Sequence, residues 1–183
     1  SRDARRVKTF FRRAGYYAVR ALIAIVRPLP LPLALFLGRS LGSLSRVVLR
    51  RRYNVALSNL EYAYGDALSE RARVRIAREC FRQFGMFAIE SIKTPFMTDD
   101  AIRSILTVSP EDVRLYEEQF ARGKGCLIVT GHIGSFELSG RWLCTRGYKV
   151  HSIMRETRDP ALTALLRELR QRNGIQASFT DTS

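Results

Sequence analysis

The sequence predicts an α/β fold in which a helical, membrane-associating N-terminus leads into a mixed or parallel sheet flanked by helices. Two observations carry this expectation. From residue 126 onward, three short apolar runs (126–130, 148–154 and 175–179) alternate with segments of helical character (135–145 and 159–172). Strand, helix, strand, helix, strand is the order of a parallel sheet, because parallel neighbours need a crossover between them. Before residue 50 the chain is instead basic and apolar with a proline-rich break, a pattern suited to helices lying at a lipid surface.

The N-terminus opens with Arg2, Arg5, Arg6, Lys8, Arg12 and Arg13. Residues 16–37 are largely apolar but include Arg20, Arg27, Pro28, Pro30 and Pro32. A clean spanning helix needs ~20 apolar residues with few charges. Two arginines and the prolines predict instead a helix, a turn at 28–32 and a second helix in the interface, with arginine stems reaching toward head groups. Arg39, Arg46, Arg50, Arg51 and Arg52 follow. Basic flanks on both sides favour the cytoplasmic side for both ends. A buried helical hairpin is the alternative reading.

Ser69 is placed to cap a helix whose apolar stripe is Ala77, Phe81, Phe84, Ala88 and Ile92, and Pro95 ends it. The arginines of 69–82 read as a solvated helix face. A further helix is expected over 110–122. Residues 126–130 read as a buried strand bounded by Gly125 and Gly131, and Ser135 is placed to cap the next helix, with Gly147 as its stop. Gly174 stops the helix at 159–172. There is no internal repeat and no low-complexity linker.

The net charge is +14, and 27 of the 31 basic residues are arginine. Such a balance suits nucleic acid, an anionic membrane or a phosphorylated substrate. Zinc-finger spacing, an aromatic RNA-reading strand and a basic region running into heptads are all missing, which argues against nucleic acid. Much of the charge brackets an apolar stretch, which points to lipid. Cys80, Cys126 and Cys144 lie in apolar runs without paired spacing and read as small core residues in a reducing compartment. His132 and His151 are too isolated for a zinc site, so no metal is expected.

Chemistry concentrates in 125–138, where His132 and Glu137 stand five residues apart. On one helix that spacing puts two side chains ~140° apart. His132 therefore belongs in the turn and Glu137 in the first helical turn, with Gly131 and Gly134 giving the turn freedom to fold back. Ligand sites of open α/β sheets lie at the carboxyl ends of strands, the place this gives His132. A neutral imidazole there takes a proton from a bound alcohol attacking an acyl carbonyl, while a carboxylate on its other nitrogen fixes the tautomer. No Ser, Thr or Cys sits in a recognisable nucleophile elbow, so the hydroxyl belongs to a substrate. A strand-end histidine that only bonds locally is the bland alternative.

The block Thr130-Gly131-His132-Ile133-Gly134-Ser135-Phe136-Glu137 resembles the TGHFGNWE-like signature of the lipid A biosynthesis lauroyl/myristoyl acyltransferases. Arg51-Arg52-Tyr53-Asn54 through Asn59-Leu60 is similar to the family's upstream arginine and Asn-Leu block. Met154-Arg155, then Asp159-Pro160-Ala161-Leu162 and Arg170-Gln171-Arg172-Asn173-Gly174, is similar to its downstream series. Ile133, Ser135 and Phe136 depart from the commoner Phe, Asn and Trp, which bears on acyl-chain or acceptor preference more than on the reaction. Members of the family are longer, and this chain begins Ser-Arg-Asp, so the resemblance implies a fragment truncated at both ends: 1–50 as the membrane-associating segment and 51–183 as the first part of the catalytic domain.

The resemblance also implies an acyltransferase at the cytoplasmic face of a bacterial inner membrane. Acyl carrier protein thioester would be the donor and a phosphorylated glycolipid, such as a lipid A precursor, the acceptor. His132 is then the general base and Glu137 its orienting carboxylate. Arg155 resembles the family's site arginine, able to hold a phosphate bidentately, and Arg170 is a weaker substrate-binding candidate. Backbone amides of the Gly134 turn are candidates for the oxyanion donors. No metal or organic cofactor is required. Alternatives are a non-catalytic basic membrane-surface protein, a nucleic-acid module, and an acyltransferase acting on another membrane lipid such as a mannoside or ornithine lipid.

Overall fold

The computed structural model describes residues 2–157 and 159–180, with residues 2–12, 179 and 180 as backbone only. The basic side chains from Arg2 to Arg12 thus lie outside the described residues. The chain forms two compact units, Ser1–Lys93 and Thr94–Ser183.

The first unit is helical: α1 Arg2–Val26, α2 Leu31–Val48, α3 Arg50–Tyr64 and α4 Glu70–Lys93. The prolines make the expected break, with Pro30 at the cap position of α2 and Pro32 in its first turn, where a missing N–H costs nothing. Helices α2 and α4 run antiparallel along a glycine seam. A Cβ on Gly38 would lie 2.8 Å from the Gly85 carbonyl, and one on Gly42 would collide with the Phe81 carbonyl. Backbones this close exclude any side chain at the crossing. Around it Val26, Ala34, Ile89 and Ile92 form the core. The buried Lys93 ammonium donates to the carbonyls of Val26, Arg27 and Leu29 at 3.4, 3.3 and 2.5 Å, tying the end of α4 to the end of α1 and the turn that follows it.

Ser69 caps α4 as expected, accepting from the Ala72 amide at 3.3 Å. The stripe differs from the expected one. Ala77 and Ile92 are buried, but Phe84 is 69% exposed and Ile89 takes the core position instead. The seam at Gly85 sets the helix phase, and Phe84, one residue away, is turned ~100° from it. Helix α2 is long and apolar enough to cross a membrane, judged by length and composition alone, and only 17% of it is buried.

The second unit contains α5 Asp99–Ile105, α6 Pro110–Ala121, α7 Phe136–Thr145, β1 Val150–Arg155, α8 Pro160–Arg172 and β2 Ile175–Thr180. Side-chain caps fix three helix starts: Thr98 for α5, Ser109 for α6 and Asp159 for α8. Strands β1 and β2 pair in parallel from Val150↔Ile175 to Arg155↔Thr180, with α8 as the crossover and Gly174 turning at φ +78°. Ile102, Leu138, Trp142 and Leu143 make the core, flanked by Phe120 stacked on Tyr148 with ring centroids 4.0 Å apart.

Two expectations fail here. Residues 126–130 form no strand, and Leu127 and Val129 are 90% and 87% exposed. An apolar run becomes a strand only by pairing its amides and carbonyls, and the described sheet is β1 and β2 alone. The chain is thus mostly helical with a two-stranded parallel sheet, part of an α/β arrangement. Cys80 and Cys126 are exposed rather than core, and Cys144 is half-buried.

Candidate active site

The turn before α7 bends at Gly134, whose φ of +61° is open to glycine at little cost. His132 lies in this turn, exposed to solvent, with its ring edge-on to Phe136 at 4.7 Å between centroids. Ser135 occupies the cap position of α7, but its hydroxyl does not cap, and Oγ is buried without a partner among the described residues. Glu137 follows in the first turn of α7, where the helix's positive end favours a carboxylate.

Glu137 does not meet His132; no hydrogen bond joins them. Its partner is Arg170, from the last turn of α8: Nη2 donates to Glu137 Oε1, and Nη1 donates to Ser152 Oγ at 2.8 Å. The two charged side chains are only 13% and 16% exposed. Ser152 stands on the inner face of β1 and donates in turn to the Gln176 carbonyl of β2 at 3.3 Å. One guanidinium therefore joins α7, α8 and the sheet, and Glu137 Oε2 accepts no hydrogen bond from a described residue.

Arg155 ends β1 with its side chain exposed, and no hydrogen bond or ion pair joins it to Glu137, Arg170 or His132. The paired strand that would set His132 at the same sheet edge as Arg155 is not formed. His151, also on β1, contacts Ser178 Oγ at 2.9 Å through Nε2. The loop from β1 into α8 is fixed by hydroxyls: Thr163 Oγ1 accepts from the Thr157 amide at 3.0 Å and lies 2.9 Å from Thr157 Oγ1.

Burial pushes the Cys144 thiol above its ordinary value, outweighing the opposing pull of Arg141. A thiol so shifted is a poor thiolate nucleophile. Among the described residues no group of three or more His, Cys, Asp or Glu side chains could hold a metal.

Sequence reasoning placed Glu137 and Arg170 on separate tasks and missed Ser152. The available signal was the conjunction of a first-turn glutamate on one helix with a last-turn arginine on the next. Helix ends attract such charges whether or not the two meet, so the signal does not name the pair.

Two curated proteins, the lipid A biosynthesis palmitoleoyltransferase of Escherichia coli (strain K12) and the lipid A biosynthesis acyltransferase of Shigella flexneri, are each 34% identical to this chain over 113 residues. The aligned stretch covers 62% of this chain and 36% of each relative, so the match spans about a third of their length. No solved structure matches significantly. The family described as bacterial lipid A biosynthesis acyltransferase matches residues 5–178, nearly the whole chain, and the chain belongs to that family.

Proposed function

We propose that this chain carries the general-base part of an acyltransferase that moves a fatty acyl group from acyl carrier protein thioester to a hydroxyl of a lipid A precursor or related phosphorylated glycolipid. His132 removes the proton as the acceptor oxygen bonds to the acyl carbon. The C–S bond then breaks, and the proton passes to the departing thiolate. Glu137 orients the imidazole and stabilises its protonated form. Backbone amides at the Gly134 turn receive the developing oxyanion, and Arg155, exposed at the end of β1, takes an acceptor phosphate.

One observation carries the reading: Glu137 is held by Arg170 through Oε1 alone, five residues beyond a histidine on a glycine turn. Its second oxygen is left for the imidazole, which the turn has only to bring round. Arg170 acts in this reading through Glu137, rather than on substrate as its sequence position first implied. No organic cofactor or metal enters the chemistry.

Residues 1–50 supply membrane association at the cytoplasmic face of the inner membrane, and 51–183 belong to the catalytic domain. The apolar span of α2 supports the first part. The test is acyl transfer from radiolabelled acyl-carrier thioester to a lipid A precursor by wild type and His132→Ala. Near-normal turnover by the variant would reject the mechanism.

A further inference from the structure

The arginines of α4 are arranged as a row. Arg71, Arg75, Arg78 and Arg82 follow at intervals of four, three and four, so they fall within about 60° of one another around the helix. Arg71, Arg75 and Arg78 are exposed and make no ion pair with a described residue; Arg82 is tied to Glu79 and Ser43. All four line one surface groove on α4, with Glu70 and Glu79 at the same groove, so arginines outnumber carboxylates there two to one. At the far end of the helix the same side carries Gly85 and Ile89, which pack against α2.

Helix α2 thus lies on the arginine-bearing side of α4. Its small residues Ala34, Gly38 and Gly42 are buried toward α4, while Leu33, Phe36, Leu44 and Val47 on its outer side are each more than half exposed. The apolar outer face of α2 and the arginine row of α4 therefore face the same way. Charge is segregated as well. Residues 1–93 hold 19 of the 31 basic side chains and 6 of the 17 acidic ones, a net +13, whereas residues 94–183 hold 12 and 11. Almost the whole excess sits on the unit that exposes this apolar face.

We propose that this side of the first unit docks on anionic lipid, with the outer face of α2 entering the acyl region and the α4 row holding lipid phosphates. Each guanidinium can grip a phosphate through two donors. The row is then a head-group site rather than the solvated face its sequence describes. The inference rests on the membrane association given above for 1–50 and adds selectivity for charge, located on α4.

The test is flotation of the full chain with phosphatidylcholine vesicles and with vesicles containing phosphatidylglycerol. Two variants are compared with wild type, Arg71→Gln/Arg75→Gln/Arg78→Gln and the same three arginines changed to lysine. Circular dichroism checks the fold of each. An arginine near an anionic surface is worth roughly fivefold in partition, so the glutamine variant should bind anionic vesicles on the order of a hundredfold more weakly. Binding to neutral vesicles should not change, and the lysine variant should stay within severalfold of wild type. Undiminished anionic binding by a folded glutamine variant would overturn the proposal while leaving the α2 reading in place. Wild type that floats with neither vesicle would sink both readings. Capture of an acidic soluble protein by the row, with no preference for anionic vesicles, would reassign it to a protein partner and equally overturn the proposal.

Discussion

Arg170 grips Glu137 through Nη2 and Ser152 through Nη1, so the carboxylate nearest in sequence to His132 is fixed by a helix that begins 23 residues after Glu137. Both charges are largely out of water. Removing one partner of such a pair strands the other, a loss of about 3 kcal/mol, whereas replacing both with apolar groups of similar shape is far less costly. Arg170→Met should therefore destabilise strongly, and Glu137→Leu/Arg170→Met should recover most of the loss. Urea unfolding of the two singles and the double gives the coupling energy. Additive losses would mean that the pair contributes nothing specific.

His132 is different in kind, since it is exposed, its ring edge-on to Phe136, and it makes no hydrogen bond or ion pair with a described residue. His132→Ala should shift the unfolding midpoint little while cutting acyl transfer by ~10²–10⁴-fold. Glu137→Gln should lose activity and stability together, because the same carboxylate anchors Arg170. Parallel measurement of turnover and thermal unfolding separates the two residues. Equal effects on both properties at His132 would make it a structural residue.

The elements that were legible in the sequence are those written locally. The cap at Ser69, the stop at Gly174 and the prolines before α2 each act on their own few residues, and the helices and the β1–β2 pair follow them closely. What was not legible depends on partners remote in sequence. The run 126–130 has strand composition, but its ladder must come from elsewhere. Phe84 fits the periodic stripe of α4, yet the Gly38–Gly85 approach sets the phase. The Glu137–Arg170 contact joins residues 33 apart, a distance at which charge alone names no partner.

That glycine approach is open to test. A Cβ on Gly85 would run into the Gly38 carbonyl and the Gly42 backbone, and backbone cannot swing aside as a side chain can. Gly85→Ala should therefore force α2 and α4 apart and cost about 1–3 kcal/mol, despite alanine's better helix propensity. Gly15, in α1 with nothing within 4 Å of an added Cβ, is the control, and Gly15→Ala should be neutral or stabilising. Thermal unfolding of both variants decides it. A stabilised Gly85→Ala protein would show that the close seam does not hold in solution.

Cys144 provides a pH-dependent signature. Burial, the main cause, raises its thiol above the ordinary value of 9.0, with Arg141 pulling the other way. A group whose pKa is higher folded than unfolded contributes stability that is fully present below the unfolded value. That contribution is lost as pH rises through the folded one. Stability should therefore fall as pH increases beyond about 9, since the unfolded chain gives up this proton more readily. Cys144→Ala should flatten that part of the profile. The same burial should make Cys144 the slowest of the three cysteines to react with an alkylating reagent at neutral pH. Mass spectrometry of partly alkylated native protein orders the three, and labelling of Cys144 ahead of Cys80 and Cys126 would show that the thiol is not protected as its surroundings require.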